Sequence, residues 1–155
     1  MTAGRRPPAF WGMSVFLVLS LVVLLLGQTT AIFAYDFAVG LGLQESVRDV
    51  SEFGVEVNRA FGVGDTVVYI PLMMLSLAGL IRRRRWALPV TAAVMGISVY
   101  WAVTMGTMLR FLRGVPGYAL VPGVEYLVFL GAFILVGVWG IAYIAMRGDR
   151  LVQSD

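Results

Sequence analysis

A chain of 155 residues that is 59% hydrophobic and 14% charged is too apolar for a soluble domain, where roughly half the residues are apolar and a quarter charged. It has no cysteine and no histidine, which excludes disulfides, thiolate nucleophiles, Cys/His zinc sites, histidine-ligated haem and imidazole acid–base chemistry. The net charge is +3 and every basic residue is an arginine; eight of the twelve flank apolar runs on one predicted side, a distribution better explained by topology and anionic lipid than by nucleic acid.

At about 20 residues per span, this length allows four membrane-crossing helices and one sizeable loop in a single domain, residues 1–155. Residues 1–9 form a short polar tail carrying Arg5 and Arg6. The first span runs from Phe10 to about Phe33, with Phe10 and Trp11 suited to an interface. A basic start and the Ile32–Ala34 context before Tyr35 also fit a cleavable leader. The apolar run exceeds the usual 7–15 residues of a signal core, so a retained helix is expected.

Residues 35–64 form the one long connection, with charges summing to −3. Within it, Val47, Val50, Phe53, Val57 and Phe61 recur at three- and four-residue spacing. This predicts an amphipathic helix over about 45–61, lying on the outer face or over the bundle mouth. Arg48–Glu52 and Glu56–Arg59 are spaced to pair along it. Asp65 is then placed to cap the second span, Thr66–Ile81, and Pro71 to kink it.

Arg82, Arg83, Arg84 and Arg85 interrupt the apolar pattern. Each arginine at a bilayer centre costs roughly 2.5–3.5 kcal/mol, so the run reads as a tight turn at a membrane face. Arginine-rich short loops stay cytoplasmic, which sets the orientation: inner (plasma) membrane, both termini inside, the arginine run touching anionic lipid. The third span covers about 86–109, with Ala92, Gly96, Val99, Val103 and Gly106 as a small-residue seam. The fourth covers about 122–146, with Glu125 in its first turn, where the helix dipole favours a carboxylate. The fold class expected is an all-α integral membrane protein, a four-helix transmembrane bundle with an extra amphipathic helix in the first outer loop.

Polar groups gather toward the predicted outer ends of the spans: Gln28, Thr29 and Thr30; Asp65 and Tyr69; Tyr100, Trp101, Thr104 and Thr107; Glu125 and Tyr126. Of these, Asp65, Tyr69, Tyr100, Thr104, Glu125 and Tyr126 are the candidate ligand-binding residues, because membrane ligand sites sit between helices with a few convergent polar groups. Helix starts account equally for Asp65 and Glu125, an aromatic belt for Tyr126, and backbone hydrogen bonding for Thr104. Met73, Met74, Met95, Met105 and Met108 read as packing residues rather than a soft-metal path. No catalytic motif, metal pattern or cofactor signature is present.

Gly64-Asp65-Thr66, Tyr69-Ile70-Pro71-Leu72, Gly79-Leu80, Arg82–Trp86 and Tyr100-Trp101 together resemble a type of small four-span prokaryotic membrane protein left uncharacterised. The resemblance covers residues 62–101 and implies the four-span layout alone. The expected function is binding, or helping to move, a small amphiphilic or hydrophobic molecule through an outer-half pocket. The alternatives are an accessory or assembly subunit of a larger membrane complex, in which a protein partner or a second copy covers the seams, and a carboxylate-dependent membrane enzyme built on Asp65 and Glu125.

Overall fold

The computed structural model describes residues 5–152; the start of the polar tail, 1–4, and the last three residues lie outside the described residues. Among the described residues all regular structure is helical. The chain forms α1 (Pro8–Phe33), a short α2 (Tyr35–Gly40), α3 (Val47–Ile81), α4 (Ala87–Phe111) and α5 (Val124–Arg147). Four of these, α1, α3, α4 and α5, are long and apolar enough to cross a membrane. α4 packs against both α3 and α5, and α1 packs against α3 and closes onto α5.

The largest departure from the sequence pattern is in α3. The amphipathic segment is helical from Val47, but it does not stand apart from the second span: the helix runs on without a stop to Ile81. Asp65 has ordinary helical torsions (φ −64°, ψ −42°) inside this continuous helix and caps nothing. The break lies earlier, at Ser51, where φ is +63° and ψ 171°. That left-handed torsion resets the helical register. As a result Val50 is buried while Phe53, three residues on, is 80% exposed, so the apolar stripe read as continuous is split in two. It also separates Arg48 from Glu52, and among the described residues only the Glu56–Arg59 member of the two expected pairs forms, at 3.0 Å.

Two wide π-turns interrupt the long helices, Leu25–Thr29 in α1 and Asp65–Tyr69 in α3, and they face each other. Pro71 stands two residues beyond the second one. Its missing N–H and bulky ring disrupt the i→i−4 ladder over that turn. The two helices touch through backbone there: a Cβ on Gly62 would stand 2.6 Å from the carbonyl oxygen of Gln28. The hydroxyls of Thr29 and Thr66 meet at 2.9 Å.

The arginine turn is tight for a specific reason. Arg84 N–H donates to Gly79 O (3.0 Å) and Arg83 N–H to Leu80 O (3.1 Å), with Arg83 left-handed at φ +53°. This is the Schellman closure, with an arginine where glycine is usual. A Cβ on Gly79 would strike Ala87 Cβ at 2.7 Å and the Trp86 ring at 2.8 Å, so the hydrogen atom there lets α4 fold straight back along α3. Arg6 joins this end: its guanidinium donates to Ile81 O (3.1 Å) and lies 4.2 Å from the Phe10 ring centroid. Arg85 and Asp149 approach to 3.7 Å, so Arg6, Asp149 and the arginine turn share one end of the bundle.

The core lies between α1, α3 and α4 and extends to the arginine-turn end, through Met13, Leu17, Met73, Leu80, Val94 and Met95. The close approach of α4 and α5 uses Val99 of the predicted seam but not the space at the seam's glycines, where a Cβ on Gly106 would meet Leu130 at an ordinary 3.9 Å. Nothing lies within 4 Å of a Cβ built on Gly96, whereas one on Gly137 would meet Val99 Cγ2 at 2.6 Å, and one on Gly140 would meet Met95 Cγ at 2.8 Å. The glycines that matter are on α5, and α4 supplies the larger side chains that fill them.

Candidate functional site

The end of the bundle opposite the arginine turn is built from loops that dock on one another. α2 and residues 41–46 fold over the end of α1. The 112–123 connection crosses to meet them, where Ala119 and Leu120 N–H both donate to Asp49 O, at 2.7 and 3.2 Å. That carbonyl lies two residues before the Ser51 break, and Gly117, at φ +83°, rests beside Ser51.

Beneath these loops the side chains form a connected polar network around Glu45. Asn58 Nδ2 donates to Glu45 Oε2 (2.8 Å) and to the Tyr35 hydroxyl (3.0 Å). Tyr35 O–H donates to Glu45 O (2.9 Å), and Tyr126 O–H reaches Glu45 Oε1 at 3.5 Å. Four parts of the chain are therefore tied at one residue. Ser46 O–H donates to Asp49 Oδ2 at 2.6 Å beside it.

The network borders a cavity of about 650 Å3. Its polar lining includes Gln28, Gln44, Glu45, Asp49, Asn58 and Glu125. Its apolar wall includes Val23, Leu24, Met105, Trp101, Phe129 and Tyr126. The aromatic wall is rigid, because Trp101, Phe129 and Phe133 pack ring against ring at 4.7–6.2 Å between centroids. A second cavity of about 180 Å3 shares Glu45, Asn58, Met105, Leu120 and Tyr126 with the first. Among the described residues, three carboxylates line the larger cavity and no arginine does.

Burial drives the pKa of Tyr35 upward; the hydrogen bond from Asn58 opposes this and the neighbouring Glu45 charge adds to it. Tyr118 shifts the same way, through burial and then Glu45. Both phenols stay neutral donors through the physiological range.

Of the six residues chosen from sequence, the structure gathers Glu125 and Tyr126 at the cavity. The Glu125 side chain folds back over Gly123, in the space a Cβ there would need, and stays exposed. Tyr69 is buried in the core, with its hydroxyl 2.5 Å from Ser98 Oγ. Ser98 donates onward to Val94 O at 2.9 Å, so Tyr69 is the donor of that pair. Tyr100 points outward and is 69% exposed, and Thr104 is half-buried outside the cavity lining. Asp65 is 7% exposed and sits at the facing π-turns, with Oδ2 unpartnered among the described residues.

Gln44, Glu45, Asp49 and Asn58 join the site without having been marked by the sequence pattern. Asn58 carries a usable signal: a carboxamide one residue from Val57, on the inward side of the helix between Val57 and Phe61. Glu45 carries none, because it stands in a loop and its partners Tyr35, Asn58 and Tyr126 come from three different helices. Compared with protein-family models, curated proteins and solved structures, the chain matches none.

Proposed function

We propose that this chain is a four-span membrane protein that binds a small cationic amphiphile in the cavity bordered by Glu45. α1, α3, α4 and α5 cross the bilayer of a plasma membrane. The arginine turn and both termini lie on the cytoplasmic side, where Arg82–Arg85 meet anionic headgroups at up to about 1 kcal/mol per residue. The cavity opens at the other face, and the Val47–Gly64 half of α3 is the amphipathic element that supports its loops.

One observation carries the ligand assignment: Glu45, Asp49 and Glu125 line a cavity with aromatic walls and, among the described residues, no basic side chain. The volume, about 650 Å3, is within the range of about 300–1,000 Å3 usual for small-molecule sites. An ammonium group gains from the carboxylates and from the faces of Trp101, Phe129 and Tyr126. An apolar tail lies along Val23, Leu24 and Met105. Among the described residues no group of three or more Asp or Glu is arranged to hold a metal ion, so an organic cation suits the cavity better than a bare one.

The test is equilibrium binding to the purified protein in nanodiscs, read by quenching of tryptophan fluorescence. The probes are a lipophilic quaternary ammonium compound and its neutral and anionic isosteres. The cation binds tightest, and Glu125→Gln weakens it roughly 10-fold or more, since a contact to a charged group contributes about 1.5–3 kcal/mol. Equal binding of the anionic isostere, or unchanged selectivity in the Glu125→Gln variant, overturns the assignment. Glu125 is the position of choice because its carboxylate is exposed and holds no part of the fold together.

A further inference from the structure

Among the described residues, Asp65 is the one charged side chain that is buried. It is only 7% exposed, and among the described residues Oδ2 has no hydrogen-bond partner and no access to solvent. No helix start explains it, because α3 passes through it unbroken. Among the described residues the ion pairs are Arg59–Glu56 and Arg85–Asp149, and neither involves it.

Its surroundings are unusual in the same place. Asp65 opens the π-turn of α3, and the π-turn of α1 faces it, with Gln28 and Thr29 on that side. Single π-turns inside α-helices occur frequently at functional sites, because they shift side chains and loosen the backbone ladder. The titratable group beside Asp65 is Tyr69, one turn further along α3, and its hydroxyl is engaged with Ser98 of α4. The facing turn of α1 contributes an amide and a hydroxyl, neither of which titrates. Asp65 also shares a helix face with Asn58 and Phe61, seven and four residues earlier, and both line the large cavity. It stands one turn below the floor of that cavity.

An ionised carboxylate in such a place costs several kcal/mol without a partner, and neutralisation is the way out. A sodium ion needs several oxygens around it, and among the described residues no group of three or more acidic side chains is arranged to supply them. A proton needs only the carboxylate itself. We infer that Asp65 is a proton-binding site, held between the facing π-turns of α1 and α3 and exchanging its proton with the cavity one turn above. The step is a simple equilibrium: the O–H bond on Oδ2 forms as a proton arrives from cavity water, and it breaks as the proton returns there. The site stands independently of what the cavity binds.

Infrared spectroscopy of the full chain in liposomes, titrated stepwise in pH in H2O and D2O, tests this. The expected result is a protonated-carboxyl C=O band that persists where free carboxylic acids in water have ionised. It shifts in D2O and is lost in Asp65→Asn. In parallel, below the range in which Tyr35 ionises, the thermal midpoint of the wild type depends on pH more steeply than that of Asp65→Asn. Absence of the band in the wild type overturns the proposal, and so does its survival in the Asp65→Asn variant. Removal of the band by sodium at fixed pH also overturns it, in favour of a cation site. Should that variant fail to fold, the wild-type band with its pH and deuterium response decides alone.

Discussion

Replacing Gly62 with alanine tests the backbone contact between the two π-turns. The added Cβ would lie 2.6 Å from Gln28 O and 3.4 Å from Ile32 Cγ1. A carbon–oxygen contact normally sits near about 3.3–3.6 Å, so α1 and α3 must part by roughly 0.7 Å or more. The obstacle is a carbonyl oxygen rather than the end of a flexible side chain, so it moves only with the π-turn itself. Such overpacking costs about 1–3 kcal/mol. Gly64 is the internal control. It lies two residues away in the same helix, is exposed, and has nothing within 4 Å of a built Cβ. There alanine gains up to about 1 kcal/mol of helix propensity. Gly62→Ala gains the same propensity, so the two variants should differ by the overpacking cost, roughly 1–3 kcal/mol, which is several degrees in the unfolding midpoint. Thermal unfolding in mild detergent, followed by circular dichroism, measures this. Equal midpoints for Gly62→Ala and Gly64→Ala would refute the close approach and, with it, the facing of the two π-turns.

Other outcomes rest on particular contacts. Tyr69→Phe should cost about 1 kcal/mol, because Ser98 keeps its bond to Val94 O; Ser98→Ala should cost more, about 1–3 kcal/mol, because it leaves a buried tyrosine hydroxyl without an acceptor, and equal losses would refute the donor assignment. Tyr35 has its pKa raised by burial, so the fold favours the neutral phenol: its contribution is fully present below the ordinary value of about 10 and is lost as pH rises above it. Alkaline melts should show the wild type losing stability from about pH 10 upward and Tyr35→Phe losing less; identical alkaline profiles would argue against a buried Tyr35. Neutral replacements at Arg82–Arg85 should give mixed orientation in a reporter-fusion assay, and an unchanged single topology would remove the basis for placing that turn in the cytoplasm.

The carboxylates show how far linear pattern reaches. Glu125 reads correctly as a first-turn acid, because helix starts are local: Gly123 caps and Val124 begins the helix. Asp65 reads as a cap and is not one. The Gly62-Val63-Gly64 stretch before it resembles a helix stop, yet the glycine at 62 serves contact with α1 and leaves the ladder intact. Glu45 is invisible in the pattern, because its role depends on Tyr35, Asn58 and Tyr126, which are up to 81 residues away.

The helical class, the four long apolar helices and the tight arginine turn are all legible in the linear chain. Each follows from hydrophobic run length, or from charges that hydrocarbon excludes, and both are properties of a short window. Folding in three dimensions was needed to make α3 one helix broken at Ser51 and to bring α4 against α5 through Gly137 and Gly140. It was needed, too, for Glu45 of a loop, Asp49 of α3 and Glu125 of α5 to converge on one cavity. Those outcomes depend on which backbone approaches which, and the space left by a glycine or a π-turn exists only once a second helix is there to occupy it.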